Sequence, residues 1–331
     1  MRAVQNLLVL YTGGTIGMLE TPQGLAPAGG FEARMRAWLE QNPQVACPQW
    51  TLREMSPLLD SANMQQSNWL AMRDAIVEAV KQNGHDGVLL LHGTDTLAYS
   101  AAALSFLLLG LDVPVLLTGS MLPAGAQESD AWDNLGGALT LLAQGVENGV
   151  QLFFAGKLMS GVRASKLRSE AFDAFAALPR HRESERASEL PAVLSYVQPR
   201  TPTNLAVLPV YPGLQAAHVR ALLDTGVKGL LLECYGSGTG PSDDEALLEV
   251  LRDAGDRGVL VAAISQCAEG SVVFDTYAAG SRLRDTGLVS AGGMNREAAL
   301  GKMFGLLGAG LELGTARHWF ALDLCGEGTE I

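Results

Sequence analysis

The chain has 331 residues, 23 Lys and Arg against 35 Asp and Glu, a net charge of −12, and four cysteines. The acidic balance argues against a nucleic-acid binder, because phosphate contacts need clustered cations. No Cys-x-x-Cys or His-Glu-x-x-His spacing occurs, which removes support for zinc ribbons, thioredoxin-like centres and zincin-type metal sites.

In chain order, the first apolar run is residues 7–11. It is too short for the core of an export signal, so a cytoplasmic chain without a leader is expected. Further short apolar runs fall at 87–92, 113–118, 151–155, 205–210, 228–234 and 258–264. Several are continuous rather than alternating, as strands covered on both faces are. Helical patterns lie between them. Residues 67–83 have Ser67 as a cap and Gly84 as a stop. Residues 97–109 are nearly all apolar and should be a buried helix. A stripe of Leu135, Leu139 and Leu142 follows the candidate caps Ser129 and Asp130, and 245–254 and 296–307 also read as helical. The longest apolar region, 101–111, is about half of the ~20 residues that a bilayer span requires. No membrane partner is expected. The alternation predicts an α/β fold with mainly parallel sheets. The charged tract 180–186 reads as solvated surface, and Pro191, Pro199, Pro202, Pro209 and Pro212 cluster behind it. The expected division is a larger domain over 1–190, a linker over 191–213 and a smaller α/β domain over 214–331.

Four segments could carry chemistry. Thr12-Gly13-Gly14-Thr15-Ile16-Gly17 follows the first strand, and ligands of parallel sheets bind at the carboxyl ends of strands. Adjacent glycines permit a sharp turn, close approach to a ligand, and amide N–H groups aimed at an oxyanion. No lysine follows to make a P-loop, and the next residues, 20–30, have the composition of a mobile loop rather than a dinucleotide-binding helix. Residues 92–96, His-Gly-Thr-Asp-Thr, lie at a second strand end. Alone, Thr94 or Asp95 reads as a helix cap and His92 as a satisfied buried histidine. The recurrence of a Gly-Thr cluster favours a site. Lys166 matters only if it meets Thr94, where a partly desolvated amine could accept a hydroxyl proton. The segment 60–64, Asp-Ser-Ala-Asn-Met, alone reads as a polar turn. No Gly-x-Ser-x-Gly or Ser-x-x-Lys template is present.

Together these motifs resemble the bacterial-type L-asparaginase family, closest to its cytoplasmic, type I branch. The resemblance rests on T-G-G-T-I-G at 12–17, D-S-x-x-M at 60–64, L-H-G-T-D-T at 91–96, T-G-S at 118–120, the stretch from Arg163 to Phe175, and Tyr235-Gly236-x-Gly238. It implies a larger N-terminal and a smaller C-terminal α/β domain. It also implies homodimers that often pair into tetramers, with active sites near the subunit interface. The implied reaction is hydrolysis of the side-chain amide of L-asparagine, with no metal or organic cofactor. By the same resemblance Thr15 is the nucleophile, and Thr94, Asp95 and Lys166 handle protons. Ser61 binds the substrate α-carboxylate and Asp95 its α-ammonium; Gly14, Asp60, Thr94 and Ser120 complete the substrate pocket. Gln266-Cys267 falls where some type I relatives place an effector site, and a buried structural cysteine is the competing reading. Two positions depart from the family: Leu25 stands where the lid usually carries a tyrosine, and Asn63 where many relatives have aspartate. A glutaminase-asparaginase is the nearest rival. The amidase subunit of a tRNA-dependent amidotransferase is disfavoured by the early first strand. A non-catalytic amino-acid sensor is the rival from another class, and Leu25 motivates it.

Overall fold

The computed structural model describes residues 2–22, 24–178 and 184–328, so Gln23 and residues 180–183 of the charged tract lie outside the described residues. Two compact units divide the chain, Met1–Ala177 and Leu178–Ile331.

In the first unit, β1 (Asn6–Gly13) leads into a hairpin of β2 (Met18–Thr21) and β3 (Gly24–Pro27). Helix α1 (Phe31–Gln41), β4 (Gln49–Leu59), α2 (Gln66–Lys81), β5 (Gly87–Leu91) and α3 (Leu97–Leu107) follow. Next come β6 (Pro114–Thr118), α4 (Ala131–Gln144), β7 (Gly149–Phe154), β8 (Lys157–Ser160) and the antiparallel pair β9 (Ala164–Lys166) and β10 (Phe175–Ala177). The main sheet has the order β4-β1-β5-β6-β7-β8, parallel except at β7–β8. The chain therefore adds β4 on one side of β1 and then crosses to add β5 on the other. That reversal makes the crevice at the carboxyl ends of β1 and β5 a topological switch point.

The continuous apolar runs become the sheet centre, where every residue of β5 and β6 is buried. The apolar α3 is buried nearly all round, and Leu135, Leu139 and Leu142 of α4 are fully covered. This is the mainly parallel α/β fold expected from the sequence. Two local readings change, and one strand is unforeseen. Ser67 lies inside the first turn of α2; the cap is Gln65, whose N–H donates to Asn68 Oδ1 at 2.8 Å. Residues 20–30 are not an open loop, because β2 and β3 pair from Met18↔Pro27 to Thr21↔Gly24. The strand β4 has no clear sequence signal: it is an edge strand, part exposed along its length, and carries Arg53 and Glu54.

The second unit contains β11 (Leu205–Pro209), α5 (Ala216–Asp224), β12 (Gly229–Cys234), α6 (Glu245–Asp256) and β13 (Leu260–Ser265). It continues with α7 (Ala278–Arg284), β14 (Val289–Ser290), α8 (Arg296–Leu307) and α9 (Leu313–Ala321). Its four strands run parallel in the order β11-β12-β13-β14. The stretch 191–213, expected as a linker, thus carries a strand of the second sheet. Residues 322–328 fold onto α8. There the Lys302 ammonium, fully buried, meets the Glu327 carboxylate, which also accepts the N–H groups of Leu324 and Cys325 at 2.9 and 2.8 Å. Among the described residues no helix is long and apolar enough to cross a membrane.

Candidate active site

The carboxyl ends of four neighbouring strands meet at the switch point. At the end of β1, the Thr12 hydroxyl donates to the Leu91 carbonyl at 2.9 Å and ties that strand to β5. Gly13 and Gly14 then adopt φ of +112° and +83°, and Gly14 N–H donates to Leu59 O at 3.0 Å. Both glycines are required sterically. A Cβ on Gly13 would fall 2.3 Å from Leu59 O, and one on Gly14 would fall 2.2 Å from Gly93 N and 2.4 Å from Gly93 Cα. The backbone of the first motif thus lies directly against that of the second.

Thr15 and Thr94 are each the residue after one of these touching glycines. With consecutive Cα atoms 3.8 Å apart, their Cα atoms can be no more than about 12 Å apart. Thr15 opens a short 3₁₀ turn, Thr15–Gly17, that is held from outside: Arg34 Nη2 donates to Gly17 O at 3.1 Å and Ala124 N–H to Ile16 O at 3.1 Å. Thr94 is buried. Lys166 Nζ donates to Thr94 Oγ1 at 2.9 Å and to Asp95 Oδ1 at 2.8 Å. The Lys166 side chain is 20% exposed and the Asp95 side chain 61%, so the amine is largely withdrawn from water while the carboxylate faces it. The short antiparallel pair β9–β10 presents the lysine, with Phe175 opposite it in register. Neither Thr94 nor Asp95 caps α3; the cap position is Thr96.

Ser61 reaches the cluster from the end of β4. It is buried, and its hydroxyl occupies the space above Gly93, 2.4 Å from where a Cβ on Gly93 would stand. Asp60 caps its own turn, accepting Ala62 N–H on Oδ1 at 3.1 Å. Two of the sequence assignments are used structurally. The Gly14 N–H bonds Leu59 and is not a free donor, and the Ser120 hydroxyl donates within its own loop to Leu122 O. Cys267 is exposed on the loop after β13, in the second unit, and its N–H donates to Ser265 Oγ at 3.0 Å.

Several supporting residues are hidden from sequence reasoning. The Asp130 carboxylate accepts the backbone N–H groups of Met121 and Leu122 and the side-chain amide of Asn134, and makes no capping bond to the backbone of its own helix. Asn134 Nδ2 donates to Gly119 O at 3.0 Å, so α4 shapes the loop over 118–122. Beneath Gly93 runs a buried chain of hydrogen bonds. Trp69 Nε1 donates to Ser100 Oγ at 2.9 Å, which lies 2.8 Å from His92 Nε2. His92 Nδ1 lies 2.7 Å from Gly93 O. A carbonyl only accepts, so the proton sits on Nδ1 and Ser100 donates to Nε2. Burial depresses the imidazole to about 4, against a smaller opposing push from the Gly93 carbonyl, so it is neutral. Burial likewise pushes the Tyr11 phenol up to about 12. That phenol donates to Ala28 O at 3.2 Å and packs against Gly17, so it is engaged with the hairpin base. Leu25, on the hairpin opposite Glu20, is 49% exposed.

Fold and site define a class: an α/β protein with a hydroxyl–amine–carboxylate cluster at the carboxyl edge of a parallel sheet. The chain belongs to the asparaginase family, since the family model "Asparaginase, N-terminal" matches residues 6–187 and "Glutaminase/Asparaginase C-terminal domain" matches 204–320. It is 38% identical to L-asparaginase 1 of Escherichia coli K12, over 98% of each chain. It is 35% identical to the human 60 kDa lysophospholipase, over 98% of this chain and 62% of that protein. The crystal structure of L-asparaginase I from Vibrio cholerae superposes with a TM-score of 0.84 at 34% identity, covering 99% of this chain and all of that one.

Proposed function

We propose that the chain hydrolyses the side-chain amide of L-asparagine to L-aspartate and ammonia. The observation that carries this reading is the contact of Lys166 with Thr94 and Asp95, in the segment whose Gly93 lies against Gly14, in a chain that matches L-asparaginases over nearly its full length. A threonine hydroxyl is a poor nucleophile until a base takes its proton. Thr15 Oγ attacks the amide carbon, and its proton passes through Thr94 to a neutral Lys166 amine. The proton returns to the leaving nitrogen, the C–N bond breaks, and ammonia departs from an acyl-enzyme on Thr15. Water then attacks that ester, and Thr15 recovers its hydrogen as aspartate leaves. Ser61 takes the α-carboxylate. No metal or organic cofactor enters the scheme.

The enzyme works in the cytoplasm as a homodimer or homotetramer with active sites near the subunit interface, which sedimentation would test. Asparagine at an effector site that includes Cys267 would give sigmoidal kinetics that become hyperbolic in Cys267→Ser. The deciding experiment is ammonia release from L-asparagine by the parent and by Thr15→Ala. Loss of about 10³-fold or more in kcat is expected, and retained turnover would refute the nucleophile. Relative kcat/KM on asparagine and glutamine separates the glutaminase-asparaginase reading. The exposed Leu25, where the family's phenol would stand, favours one other reading, an amino-acid sensor. Calorimetric binding of asparagine with no ammonia over hours would establish that instead.

A further inference from the structure

Thr96 stands at the N-cap of α3 but makes no capping bond to that helix. A threonine there ordinarily accepts an N–H from the first turn. Its hydroxyl instead donates to the carbonyl of Ser61 at 2.8 Å, bridging the end of β5 to the end of β4. Ser61 is thereby held from three directions. Gly93 fills the space beneath its hydroxyl, Met64 N–H donates to the same carbonyl at 3.1 Å, and Thr96 reaches it from across the crevice. Thr96 is also the residue after Asp95, whose carboxylate is held by Lys166. One hydroxyl therefore links the segment carrying Ser61 to the segment carrying Asp95.

An α-amino acid bears its ammonium and carboxylate on one carbon, so their separation is set covalently and the ligand cannot adapt to a changed spacing. The protein must supply a donor and a carboxylate at a fixed distance, and groups on two different loops hold such a distance only if the loops are tied. We propose that Thr96 is a positioning residue that sets the spacing between Ser61 and Asp95, and with it the affinity for the amino-acid zwitterion. This rests on the roles given to Ser61 and Asp95 under the amidase reading.

Thr96→Val keeps the shape and removes the donor, and no capping bond is lost with it; Thr96→Ser restores the donor. KM for L-asparagine and the calorimetric Kd for L-aspartate should both rise about tenfold in Thr96→Val, with kcat changing less than about threefold, and both should return towards the parent in Thr96→Ser. The inference is overturned if both constants stay within about twofold of the parent, or if kcat and Tm fall while KM is unmoved, as a purely structural role would give. If circular dichroism shows Thr96→Val unfolded, Thr96→Ala is measured in its place by the same criteria. A parent that binds L-aspartate but releases no ammonia would sink the amidase reading, while the Kd series would still decide the role of Thr96. A parent that binds neither amino acid would end both.

Discussion

Replacing Gly14 by alanine tests whether the contact between the two glycine loops holds the site together. The new Cβ would lie 2.2 Å from Gly93 N and 2.7 Å from His92 C, whereas ordinary contact begins near 3.4 Å, so backbone must give by the difference, 3.4 − 2.2 = 1.2 Å. No flexible side chain can absorb this, because the three nearest atoms are all main chain. Two costs add. The φ of +83° with ψ of 173° is a conformation open essentially to glycine alone, which costs a residue with a Cβ about 1–3 kcal/mol. Overpacking adds about 1–3 kcal/mol. At about 2–4 °C per kcal/mol for a unit of this size, Tm should fall by roughly 4–24 °C. The functional cost is larger in proportion. Moving Thr15 away from Thr94 by about 1 Å should lower kcat about 10²-fold. Ammonia release and thermal melting of the same preparations give both numbers. Gly84→Ala is the control: φ is +72° there as well, but nothing lies within 4 Å of the added carbon. It should lose about 1 kcal/mol and keep its kcat. If Gly14→Ala kept kcat within about threefold of the parent, or if Gly84→Ala lost activity equally, the contact would not be what aligns the threonines.

Three further outcomes are expected. Glu327→Ala removes the carboxylate that neutralises the fully buried Lys302 ammonium, which keeps the Leu322 carbonyl, and leaves the N–H groups of Leu324 and Cys325 without that acceptor, so urea unfolding should show a loss of about 3–5 kcal/mol, and a loss under 1 kcal/mol would contradict a stabilising role for the carboxylate. Burial raises the Glu327 carboxyl, but Lys302 and the hydrogen bonds outweigh it and hold it at about 2. Its contribution is therefore present above the unfolded value of 4.5 and lost as pH falls towards 2. The depressed His92 acts in the same direction over a higher window. The neutral ring is favoured above 6.5, so stability should drain as pH falls from 6.5 towards 4, by roughly 3 kcal/mol at most, and His92→Gln should flatten that part of the stability–pH curve. Leu25→Tyr should raise kcat for ammonia release if the absent phenol limits turnover; an unchanged or lower rate would mean that another group has taken over its work.

Much of the frame was legible in residue order alone. The centres of β1, β5 and β6 are continuous apolar runs, as strands covered on both faces are, whereas β7 keeps a part-exposed Gln151. A glycine-threonine cluster directly after such a run must lie at a strand's carboxyl end, which points to both halves of the candidate site. The helix over 296–307 was equally plain, with Asn295 accepting Ala298 N–H at its start. Other parts left no local trace. Strand β4 has a charged, half-exposed sequence, and it is a strand because it pairs with β1 along that sheet's edge. The hairpin over 18–27 looks like loop material, since its two short strands have no apolar alternation to announce them.

The sequence by itself determined which residue types stand at each strand end, because chain connectivity carries that information. Only the tertiary structure decided which of those ends meet. The strand order 4-1-5 brings Leu59, Gly14 and Gly93 into contact, and nothing in local propensity specifies an order. Lys166 comes within bonding distance of Thr94 from 72 positions away, through a three-residue strand too short to be read from its sequence. Thr96 looks like any helix cap until its hydroxyl is seen turned towards Ser61. The physical reason is the same in each case: hydrogen bonds and steric contacts act through space, and the sequence records only neighbours along the chain.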